Sequence, residues 1–97
     1  MSASDELAIP AAAHEDSRSC ELVRVWIANR QQHVVLRIGA WKDPAAWGIM
    51  LCDLMKHIAN AYHHDDGRDT AAAFNRIKAG LEAECAKATD SPSGKNI

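Results

Sequence analysis

Cysteine is scarce in this sequence and is badly spaced for a metal or redox site. The chain has three cysteines, an odd number, and they lie more than thirty residues apart at Cys20, Cys52 and Cys85. Zinc sites and redox-active dithiols bring cysteines within a few residues of each other. We therefore expect three reduced thiols, as is usual in the cytoplasm.

Excess basic charge and long apolar runs are also absent. The net charge is −2, which leaves no surplus of positive charge for a dedicated nucleic-acid-binding surface. The N-terminus lacks the positively charged segment of a secretory signal, and no stretch approaches the roughly 20 apolar residues of a membrane span. These absences predict a cytoplasmic protein that binds neither nucleic acid nor a membrane.

The sequence contains no motif that would hold a cofactor. Its five glycines do not form a phosphate-binding loop, and no G-x-S-x-G nucleophile motif is present. We expect no cofactor and assign no catalytic residue. The length of 97 residues and the apolar fraction of 47% favour one small globular domain.

Three regions can be distinguished along the chain. Residues 1–19 are rich in Ala, Ser, Asp and Glu and are predicted to form a mostly flexible arm. Residues 20–88 carry the regular apolar patterns and are predicted to form the single domain. Residues 89–97 are polar and contain Pro and Gly, which predicts a disordered tail.

Residues 20–38 are predicted to form a β-hairpin. Two segments rich in Val and Ile flank the polar stretch ANRQQ, which is typical of two strands and their turn. The loop could consist of Arg30 and Gln31, or of Asn29 and Arg30, since Asn tolerates the positive φ of a type I′ turn. Both registers give the same two faces, and we expect the fully apolar face to belong to the core.

A long helix is predicted after the hairpin, beginning at Asp43 and Pro44. Its large apolar residues fall within one arc of about 120°. They are Trp47, Met50, Leu51, Leu54, Ile58, Ala61 and Tyr62. Beside the arc, Gly48, Cys52 and Ala59 form a row of small residues that would let another helix come close. We therefore expect this helix to be packed on two sides.

A second, amphipathic helix is predicted to follow, with Asp69 or Thr70 as its cap. The predicted fold class is α+β, a β-hairpin followed by two antiparallel helices (ββαα). Because a lone hairpin is marginal in water and a core of this size is small, we expect the hairpin to pack against the helices. For the same reasons we expect a homodimer, joined by hairpin edges or by burial of the Trp26 face.

The stretch AYHHDDGRD, residues 61–69, has the residue types of a metal site but not the spacing. His63 and His64 point about 100° apart on a helix, whereas a helical metal pair needs a spacing of three or four residues. The calcium-loop pattern fails because Gly67 occupies a ligand position. We expect no metal here. The stretch is interpreted as a helix end, with Gly67 at positive φ and aspartates beginning the next helix.

Asp53 and His57 lie four residues apart on the long helix, a spacing that could orient an imidazole as a general base. No serine or cysteine is placed by the sequence to complete a nucleophilic set. A polar pair at the edge of the apolar arc is the simpler interpretation. A hydrolase that uses these residues and the histidines of the turn, with or without a metal, is the weakest functional hypothesis.

The second face of the hairpin carries the ligand-binding residues that we predict: Arg24, Trp26, His33 and Arg37. With the loop at Arg30 and Gln31, the two arginines lie directly opposite one another. That arrangement is unfavourable unless carboxylates of the arm, a partner subunit or a bound anion compensate the charge. Arginines beside an indole fit an acidic partner or a nucleotide. An exposed or intersubunit face with local carboxylates is the alternative.

Three segments carry a family resemblance. They are ELVRVW over 21–26, DPAAWG over 43–48 and HIANA over 57–61. They resemble a family of small bacterial proteins classed only as a domain of unknown function, and the resemblance covers roughly residues 6–90. It implies a bacterial cytoplasmic setting and brings no activity and no catalytic residue.

The leading functional hypothesis is a non-enzymatic, homodimeric interaction or scaffold module of the bacterial cytoplasm, which could also engage an unidentified protein partner. The alternative is a module that binds a small anionic ligand through the Arg24, Trp26, His33 and Arg37 face.

Overall fold

The computed structural model describes residues 5–87 and the backbone of residues 95–96. In chain order the elements are α1 Ala11–Glu15, β1 Val23–Ala28, β2 Gln31–Leu36, a 3-10 turn Ile38–Ala40, α2 Ala45–Asp66, α3 Thr70–Cys85 and β3 Lys95–Asn96. A β-hairpin is thus followed by two long antiparallel helices, which confirms the predicted α+β, ββαα fold. The tail predicted over 89–97 lies outside the described residues, apart from the backbone of β3.

The described residues form two compact units, one reaching Ile38 together with β3 and the other beginning at Gly39. In the first unit, β1 and β2 pair antiparallel, and β2 pairs parallel with β3. The turn consists of Asn29 at φ 53° and Arg30 at φ 62°, the two positive values that a type I′ turn requires. This turn matches the natural twist of the strands and selects the second of the two predicted registers.

The two faces of the hairpin follow from this register. Val25 pairs with Val34, and the face that they share was expected to belong to the core. Val25 is 55% exposed and Ile27 is 73% exposed, so no described residue of the hairpin unit covers the middle of this face. A small sheet of a single layer has nothing of its own to cover an apolar face, which therefore needs another partner.

The arm contains a short helix that the sequence analysis does not predict. Pro10 precedes α1, and the carbonyl of Pro10 accepts the backbone N–H of Ala13 at 3.0 Å. The hydroxyl of Ser19 donates to the carbonyl of Ala13 at 2.7 Å. These bonds close a compact turn just before β1, although no residue of α1 is buried.

In the second unit, Gly67 and Asp69 have their predicted roles at the helix ends, but α2 begins one residue later than predicted. Pro44 occupies the cap position and Ala45 is the first helical residue. The Asp43 carboxylate accepts the backbone N–H of Ala45 at 3.0 Å. Gly67 ends α2 in the left-handed conformation, and its N–H donates to the carbonyl of His63 at 2.8 Å. The Asp69 carboxylate then caps α3 by accepting the N–H of Ala72 at 2.9 Å. The predicted helix end, turn and cap are therefore confirmed.

The packing between α2 and α3 buries two small side chains. Ala59 of α2 is 0% exposed and Ala73 of α3 is 3% exposed. Ala59 belongs to the predicted row of small residues, while Phe74 and Ile77 of α3 are half-buried. Gly48 and Cys52 of the same row are exposed, so among the described residues the row is buried at Ala59 alone. None of the described helices is long and apolar enough to cross a bilayer.

We expect the substitution Ala73→Leu to lower the free energy of unfolding by about 1–3 kcal/mol, because added methyl groups in a closely packed contact force the helices apart. Ala71→Leu is the matched control, because Ala71 is exposed on the same helix. Urea unfolding followed by circular dichroism measures both. Equal stabilities for the two variants would contradict the close contact at Ala73.

Candidate functional site

The structure places the four predicted ligand-binding residues on one face of the hairpin. Trp26 lies directly opposite His33, and both are half-buried. Arg24 lies opposite Val35, while the backbone N–H of Arg37 donates to the carbonyl of Leu22 at 2.9 Å. The prediction that Arg24 and Arg37 directly face each other is therefore wrong, because the loop at Asn29 and Arg30 shifts the register and offsets the two arginines along the ladder.

Arg24 is neutralised by carboxylates of its own chain. Its Nε and Nη2 donate to the two carboxylate oxygens of Glu21 at 3.2 and 3.1 Å, a bidentate geometry. Its Nη1 donates to the carboxylate of Glu6 in the arm. The hydrogen bonds that Arg24 donates to Glu21, and then the one that it donates to Glu6, raise the pKa of Arg24 above its ordinary value. Of the three predicted sources of compensation, the structure uses carboxylates from the preceding segment of the chain.

The other two polar residues of the face are also hydrogen-bonded within the hairpin unit. Arg37 Nε donates to the backbone carbonyl of Glu21 at 3.0 Å, and His33 Nε2 donates to the carbonyl of Ala28 at 3.0 Å. Glu21 thus holds both arginines, one through its carboxylate and one through its carbonyl. Glu21 is not among the residues predicted for this face. An acidic residue three positions before Arg24 was the available signal.

A shallow cavity of about 220 Å³ opens beside these groups. Its walls come from the two segments that carry the arginines: Glu21, Leu22, Val23, Arg24, Val35, Leu36 and Arg37. The terminal nitrogens of Arg37 have no acceptor among the described residues. They are the donors that a small anion could reach without displacing Glu21.

The turn between α2 and α3 is held by its histidine and aspartate. His63 Nδ1 donates to the carbonyl of Arg68 at 2.8 Å. The Asp66 carboxylate accepts the backbone N–H of Arg68 at 3.1 Å and its guanidinium at 2.8 Å, and the same guanidinium lies 4.7 Å from the centre of the Tyr62 ring. Within the described part of the chain, no three His, Cys, Asp or Glu side chains are gathered where they could hold a metal ion.

The Asp53 and His57 pair shows no catalytic arrangement. Both side chains are exposed on α2, and no hydrogen bond joins them among the described residues. A base that is oriented by a carboxylate requires such a bond. The pair therefore matches the simpler interpretation of two solvated polar groups beside the apolar arc.

A second surface stands out on α2. We call Leu51, Leu54, Ile58 and Tyr62 the α2 stripe. Their exposed fractions are 50%, 42%, 38% and 43%. They belong to the arc that the sequence predicts to be apolar, but α3 packs beside Ala59 on the neighbouring side. At the N-terminal end of the stripe, Trp47 is half-buried and meets Trp41 edge to face at 5.0 Å between ring centres.

Residues 6–89 match the family described as Domain of unknown function (DUF5076). The chain belongs to the DUF5076 family. This confirms the resemblance to a domain-of-unknown-function family inferred over residues 6–90.

One solved structure that is similar to this DUF5076 chain is that of a protein from the photosynthetic bacterium Rhodopseudomonas palustrus CGA009. That protein is described as a "putative pyruvate dehydrogenase". The TM-score is 0.73 at 23% identity, and the match covers 100% of this chain and 98% of that chain. This likeness shows the fold alone, and a shared fold does not carry an activity with it. No curated protein matches the chain.

The contacts of Arg68 affect how the Asp66 carboxyl group titrates. They hold the pKa of Asp66 below its ordinary value, first through the backbone N–H and then through the guanidinium. The stabilisation is therefore present above the unfolded pKa of about 3.9 and is lost as the pH falls through the native midpoint. We expect Arg68→Ala to raise the Asp66 midpoint part of the way, because the backbone donor remains.

Carbon-detected NMR of the Asp66 carboxyl group measures this midpoint. Arg76→Ala, which removes the same charge from α3, is the control and should leave the midpoint unchanged. An unchanged midpoint in Arg68→Ala would show that the guanidinium contact is absent in solution.

Proposed function

We propose that this DUF5076 protein is a non-enzymatic interaction module of the bacterial cytoplasm and that it works as a homodimer. The observation that carries the proposal is the distribution of apolar surface. Among the described residues, only Ala59 and Ala73 are buried hydrophobic residues, whereas twelve large apolar side chains are exposed. Contiguous exposed apolar patches mark interaction surfaces on soluble proteins.

A second copy of the chain is the partner that this distribution favours. The exposed side chains lie on both units, for example Val25 and Ile27 on the hairpin and Leu51 and Leu54 on α2. A small chain buries a modest share of its surface when it folds alone, and obligate dimer interfaces resemble a domain core cut in half. Closed two-fold assemblies are the commonest solution among soluble homo-oligomers.

The cytoplasmic setting is supported by the cysteines. Cys20, Cys52 and Cys85 are free and exposed, which suits a reducing compartment. The non-enzymatic character is supported by the polar groups. Arg24, His33 and Arg37 are engaged with acceptors of their own unit, and Asp53 and His57 are not joined.

Sedimentation velocity at micromolar concentration tests the homodimer. We expect a species of twice the chain mass of 10.6 kDa. Thermal unfolding should shift to higher temperature as the protein concentration rises, because association stabilises the folded state by mass action. A single species of chain mass whose unfolding does not depend on concentration would overturn the proposal.

A second candidate function is the binding of a small anion on the Arg24, Trp26, His33 and Arg37 face. The cavity beside the arginines and the uncommitted terminal nitrogens of Arg37 favour it. The carboxylate of Glu6 would compete with such an anion, because it already occupies Nη1 of Arg24.

Isothermal titration with inorganic phosphate separates this candidate from the first. We expect Glu6→Gln to bind phosphate more tightly than the unmodified chain, since the competing carboxylate is lost. Glu15→Gln, an exposed change in α1, is the control and should not differ from the unmodified chain. No measurable binding in any of the three proteins would remove the candidate.

A further inference from the structure

We propose that the α2 stripe is the surface through which two copies of this chain associate. The two α2 helices would lie antiparallel, with the two-fold axis passing between Leu54 and Met55. The inference rests on the proposed homodimeric function and specifies its interface.

The spacing of the stripe supports a second copy as its partner. In an antiparallel pair centred between Leu54 and Met55, the numbers of two opposite residues always add up to 109. Trp47 then lies opposite the partner's Tyr62, and Leu51 lies opposite the partner's Ile58. The two Leu54 side chains meet beside the axis. The stripe is therefore complementary to itself, as an interface between identical chains about a two-fold axis must be.

The aromatic residues Trp47, just before the α2 stripe, and Tyr62, at its C-terminal end, are both held in place before a partner binds. Trp47 is held by the edge-to-face contact with Trp41. The guanidinium of Arg68 covers one side of the Tyr62 ring. Aromatic side chains that are already fixed in place lose little conformational freedom when they are buried, which favours association. Each end of the antiparallel pair would bring one such indole against one such phenol ring.

The charges along α2 are compatible with this arrangement. The apolar arc of α2 contains no Asp, Glu, Lys or Arg, because Asp53 and Lys56 point to the other side of the helix. Like charges therefore do not oppose each other at the axis. Asp65 is the next residue on the line of the stripe, and in this register it lies level with the partner's Pro44. The Asp43 carboxylate, which accepts the backbone N–H of Ala45, lies next to that position. Asp43 and Asp65 are both exposed, so the two carboxylates would meet at the rim of the interface, where water and salt screen their repulsion.

A different register fits less well. If the two-fold axis passes at Lys56, the numbers of two opposite residues add up to 112. This register keeps Leu54 against the partner's Ile58. It also places the Asp65 carboxylate opposite the partner's Trp47, where an unpaired charge is costly to bury. Of these two registers, the one with a sum of 109 keeps the Asp65 carboxylate away from the partner's Trp47, and it is the register that we propose.

The size of the stripe is appropriate for the centre of such an interface. Four neighbouring side chains, each at least 38% exposed, are comparable with the few hundred Å² at which contiguous apolar patches become rare on monomers. A stable interface buries about 800 Å² per partner. The flanking Met50 and Ala61 of α2, together with Leu81 of α3 at 48% exposure, would extend the contact.

Matched glutamate substitutions on opposite sides of α2 provide the first test. We expect Leu51→Glu in the full chain to weaken association by about a hundredfold or more, because the new carboxylate is buried against the partner's Ile58. Ile49→Glu is the control, since Ile49 is 67% exposed and lies about 160° around the helix from Leu51. It should change the dissociation constant by less than about threefold, the usual size of a surface effect. Sedimentation equilibrium measures both.

Site-directed disulfide formation provides a second test that does not require a disrupted dimer. Cys20, Cys52 and Cys85 are first changed to Ser, which their exposure permits. Under mild oxidation Leu54→Cys in that background should give a covalent dimer, because the two side chains lie beside the axis. Ile49→Cys should remain uncrosslinked at the same concentration.

The outcomes separate this inference from the proposed function. Loss of association in Leu51→Glu alone, together with crosslinking in Leu54→Cys alone, supports both. A dimer that survives Leu51→Glu, without crosslinking at position 54, overturns the α2 interface and leaves the homodimer standing. A monomeric unmodified chain overturns both.

Discussion

The packing of α2 against α3, which buries Ala59 and Ala73, decides where the large side chains of the helical unit lie. Small residues allow two helices to come near each other, but they contribute little apolar area of their own. The larger residues of α2 consequently lie beside this contact and not within it. Leu51, Leu54 and Ile58 remain more than a third exposed, so the packing that joins the helices also creates the stripe.

The turn at Asn29 and Arg30 has a similar influence in the hairpin unit. Two consecutive positive φ values set a two-residue loop, and that loop fixes which residues pair along the whole ladder. Arg24 is therefore offset from Arg37. Arg24 reaches the carboxylate of Glu21 and Arg37 reaches its carbonyl, so the charge of Arg24 is compensated by carboxylates of its own chain.

The features that could be predicted from the sequence were the ones encoded by local chemistry. Alternating apolar residues gave the two faces of the hairpin, Gly67 gave the end of α2, and Asp69 gave the cap of α3. The choice between two loops required the turn geometry, since both registers keep the same faces. The carbonyl of Glu21 could not be foreseen as an acceptor, because a backbone group has no residue-type signal. Helix α1 was missed because one alanine-rich turn has almost no periodicity.

The difference between polar and apolar exposure is the reason that we place the proposed interface on the α2 stripe and not on the arginine face. Arg24 and its carboxylates are hydrated as well as paired, so leaving them in water costs little. An apolar patch of a few hundred Å² is different, since at about 25 cal/mol per Å² its removal from water contributes several kcal/mol before the cost of association. That amount is comparable with the whole stability of a small domain. A folded chain that leaves such a surface open gains more from a partner there than anywhere on the charged face.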